Sequence, residues 1–210
     1  QEVRELLEAG QAGKIPETRK QGDSCFSRVT NTIVAGNGMA LDGAAQAAQQ
    51  LGYTPVILDR ALQGEARRKA VDLVRTAALH FKRDNENKDR HIPLCLLAGG
   101  ETTVTIQGTG KGGRNQELAL AMALELDTMP EVKERIAVAC LGTDGNDGPT
   151  DAAGALVLPD TLALAAKQGL SAQQHLDDNN AYPFFKKAGT LLKTGPTRTN
   201  VMDVVIILTS

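Results

Sequence analysis

The sequence has few aromatic residues, few cysteines and no long apolar segment. Only 3% of its 210 residues are aromatic and none is tryptophan, so we expect a core of Ala, Leu, Val and Ile. The longest strongly apolar runs, such as residues 204–208, are too short to span a bilayer, and no basic-then-apolar signal segment opens the chain. We therefore expect no membrane association and a cytoplasmic location, with a mitochondrial one as the alternative.

The cysteine count and the net charge exclude further classes of protein. Cys25, Cys95 and Cys140 are odd in number and widely spaced, and the last two lie in apolar runs, where buried free thiols are common. This pattern predicts a reducing compartment, no disulfide framework and no zinc site. The formal net charge of −2 indicates no nucleic-acid partner and no anionic membrane surface.

The first part of the chain alternates strands and helices, which indicates an α/β fold with a partial parallel unit. Residues 2–9 are predicted to form a helix with no accompanying strand, so we expect Gln1 to continue an upstream segment. The elements predicted after it are a buried strand at 30–37, a helix at 39–52, a strand at 53–59 and a helix at 64–81.

A charged run at residues 82–91 is predicted to be a linker. We expect residues 1–90 to be the end of one α/β domain and residues 91–210 to be a second, mixed-sheet α/β domain. In the second part, strands at 92–100 and 102–108 are predicted to pair as a hairpin. The remaining predicted elements are a deeply buried helix at 112–126, strands at 135–145, 150–158 and 199–208, and helices at 159–169 and 179–189.

Residues 99–117 hold six glycines, two acids, a lysine and an arginine around a short apolar strand. Gly108, Gly110 and Gly113 fit the G-x-G-x-x-G dinucleotide pattern. The preceding strand is not the first of a βαβ unit, however, and no acidic residue lies at the expected distance. A phosphate P-loop does not fit either, because glycine follows Lys111.

Two interpretations of this segment stay open. In one, the helix N-terminus with Arg114 and Asn115 binds an anion through N–H groups, the helix dipole and a guanidinium. In the other, the glycines make a tight turn that lets a buried helix pack closely.

Two further polar segments are candidates for a site. Asp144, Asp147 and Asp151 fall within eight positions after a predicted strand, where ligands bind in open α/β sheets, and carboxylates suit Mg²⁺ on a phosphate substrate. Asp-Gly turns are the alternative explanation. Residues 194–200 are rich in hydroxyl groups and either line a polar cleft or form an exposed turn. No G-x-S-x-G context is present, so we expect no hydrolase triad.

Several segments in order carry a family resemblance. GGETTV, GGRNQELAL, GTDGNDGPTDAAGA and TGPTRTNVMD resemble the MOFRL domain, the C-terminal part of the glycerate 2-kinase family. PETRKQGD and NTIVAGNGMALDGAAQAAQQLGY resemble the end of that family's N-terminal part. Arg198 departs from the family pattern, which commonly has a small residue there, so its side chain is expected to narrow or alter the cleft.

The resemblance implies a kinase that transfers the γ-phosphoryl group of ATP to the 2-hydroxyl of D-glycerate in a cleft between two α/β domains, with Mg²⁺. It implies that Arg114 is catalytic and that a catalytic lysine lies in an upstream part which this chain lacks. From the resemblance together with the polar segments described above, we expect the remaining site residues to be Glu101, Thr102, Gly113, Asn115, Asp144, Asp147, Asp151, Thr197 and Asn200 for the substrate, Gly108, Gly110 and Lys111 for the nucleotide, and Asp144 for the metal.

Two rival functions stay open. The first is a hydroxypyruvate reductase that uses NAD(P)H. This alternative rests on the glycine pattern and on the name hydroxypyruvate reductase, which many members of the family carry. The second is a non-catalytic chain that binds a partner. A missing upstream half would leave apolar surface exposed, so self-association into a homo-oligomer is also expected.

Overall fold

A computed structural model describes residues 1–86 and 93–209. Half of the predicted linker at 82–91, residues 87–91, and the first residue of the strand predicted at 92–100 lie outside the described residues. The linker prediction is wrong for residues 82–86, which are helical. The chain divides into two compact units, residues 1–34 and residues 35–210, and each is described by itself.

The first unit contains helix α1 (Glu2–Gln11), which confirms the predicted helix, and a single 3₁₀ turn at Ser24–Phe26. The strand predicted at residues 30–37 is wrong. Residues 30–36 form neither helix nor strand, and Ile33 and Val34 are 88% and 81% exposed. An apolar run becomes a strand only when a neighbour pairs its backbone groups, and no described strand pairs with this one.

The second unit alternates helices with the strands of one sheet. Its helices are α2 (Asn37–Gln50), α3 (Ala66–Glu86), α4 (Arg114–Asp127), α5 (Pro130–Lys133), α6 (Thr161–Lys167), α7 (Ala172–Asp177) and α8 (Ala181–Ala188). Its strands are β1 (Thr54–Glu65), β2 (Leu94–Thr103), β3 (Ile136–Gly142), β4 (Gly154–Val157), β5 (Leu191–Leu192) and β6 (Asp203–Thr209).

The strand order is β1-β2-β6-β3-β4-β5. β1 and β2 are parallel, and every other neighbouring pair is antiparallel. The predicted mixed α/β sheet with one parallel unit is therefore confirmed. β1 precedes the boundary predicted near residue 90 and β2 follows it, so both parts of the chain contribute strands to this sheet. The division into two domains stays a prediction.

The predicted hairpin between residues 92–100 and 102–108 is wrong, because a single strand, β2, runs through Glu101. Gly100 explains the continuation. It has a φ of +150°, and an added Cβ would lie 2.3 Å from the carbonyl oxygen of Leu62 on β1. Glycine at this position thus lets the backbones of β1 and β2 remain in close contact up to the end of β2. The chain therefore does not turn back at Glu101.

The two faces of the sheet carry separate cores. One core includes α3, α4 and α8, with Leu96, Leu118, Phe184 and Phe185 almost fully buried. The other face packs on α2, with Leu41 and Leu97 both 0% exposed. Helix α4 is buried nearly all round, as its sequence predicts. Among residues 1–86 and 93–209, no helix combines the length and the apolar character needed to cross a membrane.

Candidate functional site

Three central strands meet at one edge of the sheet, beside the start of α4. Asp203, the first residue of β6, pairs with Gly100 of β2 and with Gly142, the last residue of β3. The guanidinium of Arg114, the first residue of α4, reaches the carboxylate of Asp203. The carboxyl ends of β2 and β3 thus adjoin a helix N-terminus, a usual location for ligands in open α/β sheets.

Arg114 is held by two carboxylates. Its Nε and Nη2 atoms donate to the Asp203 oxygens at 2.6 and 3.0 Å, and Nη1 lies 3.1 Å from Oε1 of Glu101. The side chain of Arg114 is 35% exposed and that of Asp203 only 6%. The hydrogen bond to Asp203 raises the pKa of Arg114. A guanidinium has five N–H groups, so Arg114 keeps N–H groups for a ligand while its orientation is fixed.

Asp203 is fixed in turn by the residues around it. The Nδ2 atom of Asn37 donates to the carbonyl oxygens of Val201 and Asp203 at 2.8 and 2.9 Å. The Thr143 hydroxyl donates to the carbonyl of Met202, whose φ is +67°, a conformation that non-glycine residues adopt at a cost. Sequence analysis singled out neither Asp203 nor Asn37. The only local signal for Asp203 is an acid at the start of an apolar strand.

Asp147 caps α4 from a distant part of the chain. Its side chain accepts hydrogen bonds from the backbone N–H groups of Asn115 and Gln116 at 3.0 and 2.8 Å, and from the amide of Asn115. Burial raises the pKa of Asp147 to about 6, although these hydrogen bonds oppose the shift. These N–H groups at the helix N-terminus therefore bind a protein carboxylate and are not free for a ligand.

The glycine loop is held against the turn between α7 and α8. Five consecutive N–H groups, at residues 107–111, donate to acceptors of residues 178–180 at distances between 2.7 and 2.9 Å. A Cβ added at Gly108 or at Gly110 would lie 2.4 Å from atoms of this turn. Of the two interpretations of the glycines, close packing is the one that this geometry supports at Gly108 and Gly110. Sequence analysis did not indicate the residues that hold the loop, which are Asp178, Asn179 and Asn180.

Lys111 and Asp151 both interact with Tyr182, one with its ring and the other with its hydroxyl. The Tyr182 hydroxyl donates to Asp151 at 2.6 Å, and Lys193 pairs with the same carboxylate at 2.8 Å. The hydrogen bond from Lys193, followed by that from Tyr182, lowers the pKa of Asp151 to about 2. Lys111 Nζ stands 5.0 Å from the centre of the Tyr182 ring. Within the described part of the chain, neither Asp151 nor Lys111 forms a hydrogen bond or an ion pair with Arg114.

The loop at residues 194–202 is joined to the end of β3. The Thr197 N–H donates to the carbonyl of Asp144 at 3.1 Å, and its hydroxyl donates to the carbonyl of Thr143. The Asn200 side chain accepts from the Met202 N–H at 3.1 Å. Thr197 and Asn200 thus shape the exposed loop that leads to Asp203. Arg198 lies in this loop with a φ of +62° and is exposed.

Asp144 lies near Asp203 at the end of β3, whereas Asp147 acts on Arg114 from the cap of α4 and Asp151 pairs with Lys193. A Cβ added at Gly142 would lie 3.2 Å from Oδ1 of Asp144 and 3.6 Å from Oδ1 of Asp203. The three aspartates predicted to share one cleft are therefore separated into a half-buried residue at the site, a buried cap and an exposed ion pair. Among the described residues, no group of three Asp, Glu, His or Cys side chains is placed to hold a metal ion.

A cavity of about 540 Å³ opens beside Arg114, lined in part by Glu101, Thr102 and Gly113. The side chain of Thr102 is 3% exposed, and its hydroxyl makes no hydrogen bond to any described residue. The backbone N–H groups of Gly112, Gly113 and Arg114 likewise find no acceptor in the described ranges. The three N–H groups belong to partly exposed residues and are open to water or a ligand, whereas the Thr102 hydroxyl has almost no accessible surface.

Comparisons with known proteins identify relatives in sequence and in structure. Residues 94–203 match the model of the MOFRL family. The chain is 38% identical to glycerate kinase of Mus musculus over 89% of this chain and 43% of that protein. It is 36% identical to glycerate 2-kinase of Pyrococcus horikoshii over 98% of this chain and 44% of that protein.

A solved structure gives the same result. The crystal structure of glycerate kinase from Thermotoga maritima superposes with a TM-score of 0.76 at 37% identity, covering 88% of this chain and 43% of that one. The chain spans less than half the length of each of these three relatives. The resemblance noted in its sequence is confirmed: the chain belongs to the MOFRL family and to the glycerate 2-kinase family.

Proposed function

We propose that this chain forms one wall of the active site of a glycerate 2-kinase, which transfers the γ-phosphoryl group of ATP to D-glycerate and gives 2-phosphoglycerate. The observation that carries the proposal is Arg114, held by Asp203 and Glu101 at the meeting point of three strands and one helix. The kinase names of the relatives support the use of ATP and of a small hydroxy acid.

Arg114 is suited to stabilise charge on a phosphoryl group in transfer. Phosphoryl transfer depends mainly on positioning and on cationic groups around the equatorial oxygens. The paired carboxylate of Asp203 fixes the guanidinium before a substrate arrives, so little reorganisation is needed during the reaction. The N–H groups of Gly112 and Gly113 supply further donors on the same side of α4.

The site carries more negative than positive charge. Among the described residues, Glu101 and Asp203 form ion pairs with Arg114, and the charge of Asp147 also acts on it. The carboxylates therefore outnumber the cation, a balance that does not attract an anionic substrate. We therefore propose that further cations take part. Mg²⁺ bound to ATP is one, and the upstream lysine that the family resemblance implies is another.

Asp144 is the side chain best placed to contact such a Mg²⁺ ion. Its Oδ1 atom accepts from the N–H of Asn146 at 2.9 Å, and its Oδ2 atom accepts no hydrogen bond from a described residue. Mg²⁺ at nucleotide sites is commonly held by one or two carboxylates together with phosphates and water. A single carboxylate fits that pattern, and the ion would neutralise charge on the phosphates.

The residues predicted to bind substrate divide into two groups. Glu101, Thr102 and Gly113 line the cavity beside Arg114, and Asp144, Thr197 and Asn200 belong to the segments that border Asp203; we retain these for the substrates. Asn115, Asp147 and Asp151 are engaged in the helix cap and in the ion pair with Lys193, and we assign them supporting roles.

The reductase alternative loses its main support. Its glycine pattern is explained by packing against residues 178–180, and the N–H groups that would meet a pyrophosphate donate to that turn instead.

We also propose that the protein is located in the cytoplasm. We further propose that it self-associates, which sedimentation would test.

The test is product formation. The 210-residue chain and the longest product of its gene are incubated with ATP, Mg²⁺ and D-glycerate, and 2-phosphoglycerate is followed by phosphorus NMR. We expect the product from the longer form, because the site needs a second cation. If neither form yields 2-phosphoglycerate, the kinase proposal falls. If the short chain alone is fully active, an upstream lysine is not required.

A further inference from the structure

Asn37, the first residue of α2, contacts the sheet where Asp203 begins β6. Asn37 is 5% exposed, and its Nδ2 atom donates to the carbonyl oxygens of Val201 and Asp203 at 2.8 and 2.9 Å. The carbonyl between them, that of Met202, accepts from the hydroxyl of Thr143 at 2.7 Å. Side chains therefore hold three consecutive carbonyl oxygens, which fixes the backbone on both sides of the positive φ at Met202.

The amide of Asn37 also lies against β2. A Cβ added at Gly99 would overlap Oδ1 of Asn37 and would lie 2.9 Å from its Cγ and 3.0 Å from its Nδ2. Glycine at this position therefore leaves the space that the amide occupies. The Oδ1 atom is buried and accepts no hydrogen bond from a described residue. An unpaired buried oxygen destabilises a fold, so packing of α2 alone would not favour an amide here.

Asn37 and Arg114 lie on opposite faces of the sheet. Leu97 belongs to the core on the α2 face, and Gly99, two residues later, faces the same way because side chains alternate along a strand. The carboxylate of Asp203 instead reaches Arg114 of α4, at 2.6 and 3.0 Å. Asn37 thus holds the backbone of Asp203 from one face while the Asp203 side chain holds Arg114 on the other.

We propose that Asn37 is a positioning residue for phosphoryl transfer, which acts through Asp203 on the orientation of Arg114. The proposal rests on the proposed kinase function. Because Asn37 is buried on the face away from α4, it should affect the chemical step and not the binding of substrates. Misplacing a catalytic group by about 1 Å can lower a rate about 100-fold, so a small shift of Asp203 is sufficient.

The guanidinium of Arg114 reports on this coupling in the 210-residue chain, without any need for activity. Its Nε–H is bonded to Asp203 and should exchange slowly with water, which nitrogen-15 NMR measures at mildly acidic pH. We expect Asn37→Ala to speed this exchange by about tenfold or more. Gln46→Ala, at an exposed position of the same helix, should leave it unchanged. Unchanged exchange in folded Asn37→Ala overturns the proposal.

Gly99→Ala separates positioning from structural support. Its Cβ displaces the amide of Asn37 without removing it, so the melting temperature and the protection of Arg114 Nε–H should both fall. This variant supplies the same comparison if Asn37→Ala does not fold. Gly43→Ala, in open space on α2, is the matched control and should not alter the protection of Arg114.

The double variant Asn37→Ala/Gly99→Ala has no such overlap. Its loss of melting temperature should therefore be smaller than the sum of the two single losses, while Arg114 Nε–H stays unprotected. Recovery of both stability and protection in the double variant would show that the amide is only structural, and it would overturn the proposal.

Steady-state kinetics in an active form of the protein test the link to the chemical step. Asn37→Ala and the double variant should lower kcat by about tenfold or more and leave the KM values for ATP and D-glycerate nearly unchanged. A full kcat in Asn37→Ala, or an effect confined to KM, overturns this proposal while the kinase activity stands. If no form makes 2-phosphoglycerate, the kinase proposal falls and the role of Asn37 in transfer falls with it, and the exchange data then show only whether Asn37 holds Arg114.

Discussion

Asp147 provides a quantitative test of how α4 is positioned. Its carboxylate is 2% exposed and accepts three hydrogen bonds at the N-terminus of α4. Burial, which outweighs these hydrogen bonds, raises the pKa of Asp147 from 3.8 to about 6. Such a difference in pKa between the folded and unfolded states changes the free energy of unfolding by about 3 kcal/mol between low and high pH.

The sign of the effect follows from the direction of the pKa shift. Because the folded state holds the proton more tightly, the contribution of Asp147 to stability is fully present below pH 4 and is lost as the pH rises through about 6. Asp147→Asn cannot titrate. The stability of the wild type relative to Asp147→Asn should therefore fall by about 3 kcal/mol between pH 4 and pH 7.

Urea unfolding of both proteins at several pH values measures this difference, since most other titrating groups cancel in the comparison. Asp160→Asn, which removes an exposed carboxylate at the start of α6 that makes no capping hydrogen bond, is the matched control. Asp147→Ala should cost about 2 kcal/mol or more at any pH, because it leaves buried N–H groups unpaired. A difference between wild type and Asp147→Asn that does not change with pH, or that changes in the opposite direction, refutes the reasoning.

Three further predictions concern single residues. Gly108→Ala should lower the free energy of unfolding by about 1–3 kcal/mol because its Cβ would overlap the turn at residues 178–180, whereas Gly43→Ala, in open space within α2, should raise it by about 0.5–1 kcal/mol; thermal unfolding compares them. Asp203→Asn should lower kcat more than it raises KM and should cost about 1–2 kcal/mol of stability, because it weakens the pair with the partly exposed Arg114; retention of full kcat would contradict its role. Thr102→Val should preserve or raise the melting temperature, since the lost hydroxyl has no protein partner; a clear drop would show that the hydroxyl stabilises the fold.

The parts of the fold that sequence analysis predicted correctly are those with strong local signals. The alanine-rich apolar run of α4 and the apolar runs of β3 and β6 predict buried elements, and each of these elements is present. The errors arose where the outcome depends on a neighbour. Residues 30–36 contain a short apolar run but no described strand pairs with them, and β2 continues past Glu101 because Gly100 allows close contact with β1.

The candidate site follows the same division. Arg114 was recognisable from its place after a glycine run at a helix start, and it lies where three strands meet. Its partner Asp203 and the amide of Asn37 are 89 and 166 positions away from the residues they hold, and no local pattern indicates such pairings. The glycines at 108 and 110 were ambiguous in the sequence, because close packing of the backbone and phosphate binding both require a residue without a side chain.

The most direct test of the central claim is the kcat/KM for D-glycerate of Arg114→Ala, measured in an active form of the protein beside Arg75→Ala, which removes an arginine that is 65% exposed and pairs with Glu125 on α4. We expect Arg114→Ala to lower kcat/KM by at least about 100-fold, equivalent to about 3 kcal/mol of transition-state stabilisation, and Arg75→Ala to leave it unchanged. A near-normal kcat/KM for Arg114→Ala would contradict the assignment of this cluster as the phosphoryl-transfer site.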